Sequence, residues 1–360
     1  MANDDIDEAV QLLESADTLR RVGRLVAAFD RAQRALDGLR LAYGDDHPDV
    51  ANALLTLGRV HQDAECYGEA EVAYQRASEI MCRWIDEPDP TVQRLRIQVE
   101  IALGHIARIS GRLESAHATL TRAVADAESR LGRHDPDTGA ALNALGIVCK
   151  YAGRFVEGQT VYRRALEIAE RTAGRESTTA ATIWHNIGGL AFDAGDYAAA
   201  ELPARRAVEI RQAALGDEHP DVAADRLALA PVLEALGRVD EATELYARVH
   251  VLLERTPGRD YDLAVLHNNL GVGAAERGDA QTARHHYVTA LEIKERLLSE
   301  HHADLAMTLH NLGMLSLQCN EFDEARGFLR RALSIFEASL PPDHPKTVAC
   351  RTAVVSITHR

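Results

Sequence analysis

The stretch Leu142-Asn-Ala-Leu-Gly146, followed by the turn Gly153-Arg-Phe and by Tyr162-Arg-Arg-Ala-Leu-Glu-Ile168, recurs along the chain and decides the fold. Aligning on its Leu-Gly step gives Gly58, Gly104, Gly146, Gly188, Ala230, Gly271 and Gly313, spaced by 46, 42, 42, 42, 41 and 42 residues. A period this regular marks stacked supersecondary units. Seven residues beyond each anchor stand Glu65, Gly111, Gly153, Gly195, Gly237, Gly278 and Asn320. Gly and Asn tolerate a left-handed backbone, so this position predicts a turn between two helices. Twelve beyond the anchor come Ala70, Ala116, Gly158, Ala200, Ala242, Ala283 and Ala325; nineteen beyond come Ala77, Ala123, Ala165, Ala207, Val249, Ala290 and Ala332. Small residues seven apart share one helix face, which can then approach a neighbour closely. Ile80, Ile168, Ile210, Leu252, Ile293 and Ile335 extend the stripe, and Asp126 breaks it once.

Each repeat is therefore an antiparallel helix pair, helix A carrying the anchor and helix B the two small residues. Ala16, Gly23, Ala28 and Ala35 fit a degenerate copy at the start of the chain. Between pairs the chain returns to His-Pro or Asp-Pro: His47-Pro48, Asp135-Pro136, His219-Pro220 and His344-Pro345. Proline suits the first helical position, where its missing N–H is not needed, and the acids that follow (Asp49, Asp137, Asp221) suit the positive end of the helix dipole. Pro203 and Pro231 instead fall inside helices, where each removes a donor and crowds the carbonyl four residues back. A kink, a change of pitch or a hinge is expected between the fifth and sixth repeats.

Composition narrows the function classes. The 360 residues carry 46% apolar and 26% charged side chains, with only 5% aromatic, which excludes both disorder and an aromatic-rich core. The net charge is −15, and Lys150, Lys294 and Lys346 are the only lysines. No nucleic-acid partner is expected, because phosphate binding needs a concentrated basic face. No apolar run reaches membrane-spanning length, and the acidic start is unlike a targeting signal. A cytoplasmic protein with reduced, mostly buried thiols is expected from five widely spaced cysteines. Abundant Arg with little Lys suggests a GC-rich bacterial genome.

These motifs, together with Leu309-His-Asn-Leu-Gly313 and Phe322-Asp-Glu-Ala325, resemble the tetratricopeptide repeat family in its 42-residue, kinesin-light-chain-like form. The resemblance covers nearly the whole chain. It implies an all-α, right-handed superhelical solenoid of about eight helix pairs plus a C-terminal capping helix, forming one domain over 1–360. The degenerate repeat spans 1–44, followed by repeats at about 45–88, 89–133, 134–175, 176–217, 218–258, 259–300 and 301–342, with the capping helix at 343–360. The resemblance also implies a concave groove lined by helices A. Carrying the family's groove positions onto this sequence selects Arg59, His105, Arg108, Asn143, Lys150, His185, Asn186, Asn268, Asn269, His310 and Asn311. The groove is thus cationic in its first half and more apolar, with Val272, Met307, Met314 and Leu317, toward its end.

Carboxamides pair donor with acceptor and suit main-chain recognition without demanding a sequence; they equally suit hydrogen bonds between neighbouring helices. The expected function is a non-enzymatic scaffold or adaptor whose partner is a peptide or protein segment with acidic and apolar anchors. A ligand-sensing regulator that alters superhelix pitch is the alternative, and a groove enzyme a third. No nucleotide-binding or hydrolase motif occurs, because the glycines are placed at helix ends on the repeat period. Sixteen histidines include His285-His286 and His301-His302, but adjacent residues on a helix point about 100° apart and none makes a His-Glu-x-x-His pair. No metal and no cofactor is expected. A cluster of His267, His310 and their neighbours is the one arrangement left open.

Overall fold

The computed structural model describes residues 2–256, 258–298, 300 and 302–358; His301, one half of a histidine pair above, lies outside them. Among the described residues there are seventeen helices and no strand. They form eight antiparallel pairs: α1 (Ala2–Arg21) with α2 (Leu25–Tyr43), α3 (Pro48–Asp63) with α4 (Tyr67–Arg83), α5 (Pro90–Ile109) with α6 (Leu113–Arg130), and α7 (Pro136–Tyr151) with α8 (Phe155–Thr172). Then come α9 (Thr178–Asp193) with α10 (Tyr197–Leu215), α11 (Pro220–Ala235) with α12 (Val239–Glu254), α13 (Asp260–Glu276) with α14 (Ala280–Leu297), and α15 (Ala303–Gln318) with α16 (Phe322–Ser339). A final α17 (Pro345–Thr358) follows. The all-α solenoid of helix hairpins is the fold that the repeat predicts.

The anchor position is set by sterics within each hairpin. A Cβ built on Gly58 or Gly146 would lie 2.4 Å from the ring of Tyr74 or Tyr162, and at Gly271 it would lie 2.6 Å from Tyr287. On Gly104 and Gly313 it would meet Leu120 and Leu329 at 2.5 Å. In every case the obstructing residue stands sixteen places further on, so the bare backbone of helix A is where a large buried side chain of helix B rests. At Gly188 that partner shrinks to Ala204, and the backbone itself comes close, its nitrogen 3.2 Å from the built Cβ. All the small residues at the second and third positions are buried, from Ala70 to Ala332.

The turn position is left-handed in all seven repeats. Gly111, Gly153, Gly195, Gly237 and Gly278 have φ between 69° and 79°, and Glu65 and Asn320 adopt 60° and 63° despite their side chains. Helix starts are capped in a way the His-Pro spacing did not disclose. His47, His219, His302 and His344 each accept, through Nδ1, the backbone N–H two residues on, at 3.1–3.2 Å. Asp89 and Asp135 do the same for α5 and α7. A side-chain acceptor at this place satisfies one of the orphan donors of the first turn.

The interruption at Asp126 is also resolved: its carboxylate pairs with Arg96, which is 7% exposed and sits beside the equally buried Glu100. Contrary to expectation, Cys66, Cys82 and Cys319 are exposed and only Cys149 and Cys350 are buried; no disulfide forms among them. Both internal prolines lie within continuous helices, Pro203 in α10 and Pro231 in α11.

The chain divides into two compact units, Met1–Leu145 and Gly146–Arg360. Within unit 1, α1, α3 and α5 touch in succession; within unit 2, α9, α11, α13 and α15 do so. Within either unit, no two of the described even-numbered helices are packed comparably. Helices that approach their counterparts lie on the inside of a curved stack, so the odd-numbered helices line the inner side of each unit.

Candidate functional site

Polar side chains on the odd-numbered helices reach across to the next odd helix, about forty residues away in sequence. In unit 1, Arg59 on α3 donates to Gln98 on α5 at 3.4 Å, and Gln98 donates to Asp137 at 3.4 Å. Arg94 holds the same Asp137 at 2.5 Å and Asp135 at 2.7 Å. Burial lowers the Arg59 pKa, with Arg20 and Arg21 acting in the same sense. His105 is pushed down to about 4, first by burial and then by Arg108, so it is neutral at pH 7. Asn143, on the α7 segment that belongs to unit 1, is half-buried.

Unit 2 carries the richer arrangement. His185 on α9 donates from Nδ1 to Asp225 of α11 at 2.8 Å; Asp225 is 2% exposed and its other oxygen lies 2.8 Å from Nε of Arg211. A ring nitrogen fixed by a buried carboxylate leaves the opposite nitrogen as an acceptor in a set direction. Asn186 is next to it on α9, half-buried, and Lys150 lies one odd helix earlier, its Nζ 3.9 Å from where a Cβ on Gly189 would be. Neither Asp225 nor Arg211 was singled out from sequence. The signal was present, since Asp225-Arg226 interrupts the otherwise apolar Val222–Ala230 stretch of α11.

The three later asparagines are committed to neighbouring helices. Asn269 of α13 donates to the carbonyl of Leu227 at 3.3 Å. That carbonyl is four residues before Pro231, which has no N–H to offer it. The Oδ1 of Asn268 accepts from Thr308 at 3.1 Å and from Asn311 at 3.2 Å, both on α15. Thr308 in turn receives Lys294 Nζ at 2.9 Å, and burial lowers that ammonium's pKa against the pull of Asp304. His310, also lowered by burial, keeps its Nδ1 enclosed without a hydrogen-bond partner. Met307 and Leu317 are half-buried nearby on α15, packed with Tyr151 against the apolar cluster of α15–α17.

His267 of α13 meets His286 of α14, Nδ1 to Nδ1 at 2.9 Å, with its pKa lowered to about 4 by burial and by His286, His250 and His285. At this separation one ring nitrogen donates and the other, unprotonated, accepts.

One more set of contacts was not foreseen. The start of α17 lies against the ends of α7 and α9. His344 packs on Phe155 at 6.3 Å between ring centres and approaches Gly153, and Lys346 Nζ lies 3.0 Å from Asp193 Oδ1. The capping helix therefore also touches the beginning of unit 2.

The sequence profile of the tetratricopeptide repeat matches residues 4–83, 95–171, 137–213, 179–255, 222–296 and 261–338. No curated protein matches the chain. Among solved structures, a Rap protein complexed with competence and sporulation factor is similar over 93% of this chain and 97% of its own, at 16% identity and a TM-score of 0.64. NprR in complex with its cognate peptide NprX is similar over 85% and 80%, at 15% identity and a TM-score of 0.58. BtubC (BKLC) from P. vanneervenii is similar over 72% and 93%, at 19% identity and a TM-score of 0.51. At these identities the likeness is one of fold. None of the described helices is long and apolar enough to cross a membrane.

Proposed function

We propose that this chain, which belongs to the tetratricopeptide repeat family, is a non-enzymatic interaction scaffold that binds an extended peptide or protein segment along the inner side of unit 2. One observation carries the reading: the inner polar groups are held in place by the next odd helix before any partner arrives, as His185 is by Asp225 and Asn311 by Asn268. Groups already fixed lose little conformational freedom on binding, which favours recognition of a flexible segment. Lys150 supplies a place for an acidic residue, and Met307, Met314 and Leu317 supply a place for apolar ones. Unit 1 repeats the theme with Arg59, held by Gln98 of α5, and His105, Arg108 and Asn143 stand on the same set of odd-numbered helices. The peptide and the factor named with NprR and the Rap protein support a peptide as the partner class. Five unpaired thiols suit a reducing, cytoplasmic setting.

A random peptide library panned on the full chain tests this. Enriched peptides should bind in the micromolar range by fluorescence anisotropy, and His185→Ala with Asn186→Ala should weaken them at least tenfold. A control on the outer side, Val156→Ser, should leave affinity unchanged. Peptides that bind the inner-side variant as well as wild type would place recognition elsewhere.

A second reading has its own support. Because α17 touches α7 and α9, a change of pitch along unit 2 would alter that contact, as a ligand-sensing regulator requires. Scattering with a saturating enriched peptide separates the two: an unchanged radius of gyration speaks for a rigid scaffold.

A further inference from the structure

The first turn of α17 departs from the other His-Pro helix starts. His47-Pro48 is followed by Asp49 and His219-Pro220 by Asp221, and Asp137 and Asp304 hold the same place in α7 and α15. At α17 that place is taken by Lys346. A cation at a helix N-terminus opposes the helix dipole, so a local rule is broken and a compensating contact is expected. It exists: the ammonium reaches Asp193 at the carboxyl end of α9, with the two side chains 32% and 16% exposed. Asp304 attracts the same charge from α15.

His344 completes the contact. It is 2% exposed, its Nδ1 accepts the Lys346 N–H at 3.2 Å, and the imidazole hydrogen-bonds the backbone of Lys150, so the other ring nitrogen is the donor. Tyr151 packs on the apolar cluster that includes Cys350 and Ala353 of α17. Helix carboxyl ends present carbonyls and partial negative charge, which select N–H donors and cations. Lys150, Tyr151 and Asp193 are also inner-side positions of α7 and α9.

We propose that His344-Pro345-Lys346 is a displaceable latch: α17 seats itself on the carboxyl ends of α7 and α9, closes unit 2, and occupies ground that a bound segment would use. A competitor for that seat must bring a cation to Asp193 and a ring or N–H donor to the Lys150 backbone. The latch rests on the peptide-binding reading only for what it excludes.

Hydrogen exchange on the full chain tests it with Lys346→Glu, with the charge-swapped pair Lys346→Glu/Asp193→Lys, and with His344→Asn, which keeps a cap acceptor but loses the reach to Lys150. In Lys346→Glu and His344→Asn, segments 148–156 and 344–357 should exchange at least tenfold faster while α11–α14 stay protected, and the swapped pair should restore protection. A labelled synthetic peptide of residues 341–358 should bind Lys346→Glu at least tenfold more tightly than wild type. Unchanged exchange at 148–156, acceleration spread over all of unit 2, or equal peptide binding to both proteins overturns the latch. These readouts use only the chain's own segment, so they stand or fall separately from the peptide-library test.

Discussion

Glu65 at the turn position of its repeat and Gly146 at the anchor position of another are misfits of opposite kinds. Glu65 sits at φ 60°, a backbone that a side chain enters at a cost of about 1–2 kcal/mol, whereas five other repeats use glycine there. Glu65→Gly should therefore raise stability by about 1 kcal/mol in urea unfolding, the extra freedom of the unfolded glycine removing part of the gain. Gly146→Ala should do the reverse. Its Cβ would lie 2.4 Å from the Tyr162 ring, and overpacking of roughly 1–3 kcal/mol exceeds the about 1 kcal/mol of helix propensity gained. These two positions were legible in the sequence because local sterics repeat with the period. The imidazole caps were not. Only the placement of Nδ1 over the first turn reveals why His47, His219 and His344 precede proline, since proline alone accounts for a helix start.

Proline inside a helix is a problem for an element rather than a residue, and α11 solves it with a neighbour. Pro231 leaves the Leu227 carbonyl without its usual donor, and Asn269 of α13 provides one. Asn269→Ala should cost about 1–2 kcal/mol in the wild-type background, the range for leaving a buried acceptor unpaired. In a Pro231→Ala background, where the backbone N–H returns, the same change should cost less than half as much. A double-mutant cycle in urea with no coupling between the two sites would detach Asn269 from this role. The sequence identified both partners separately, the proline as a disturbance and the asparagine as a groove residue. That they answer each other depends on the register between repeats, which hydrophobic periodicity does not report. The Asn268–Thr308–Asn311 group was hidden for the same reason: an amide that could face a ligand can equally bridge two helices, and only the contact distinguishes them.

For the whole molecule, pH should act through half-buried histidines held neutral. His105 and His267 are lowered to about 4, mainly by burial, with Arg108 facing the first and His286, His250 and His285 the second. Their folded pKa lies below the unfolded value near 6.5, so the unfolded chain binds more protons as pH falls. Their stabilising effect is complete above pH 6.5 and is lost as pH falls through the folded values near 4. The urea midpoint should accordingly drop between pH 7.5 and 4.5, and His105→Gln should shrink that drop; an equal drop in both proteins would remove His105 from the account. The repeat fold was legible from end to end, because every hairpin restates the same sterics. The return of α17 to α7 and α9 was not, because it happens once and so leaves no period; Lys346 in an acid's place was its single trace. That return also shapes how the chain assembles. Hairpin packing joins residues close in sequence, whereas the contact of His344 with Gly153 closes a loop of about 190 residues. Unit 2 can therefore form its hairpins early and quickly, while its closure waits for synthesis to pass Lys346, making this seam the last to set and the first to part under strain.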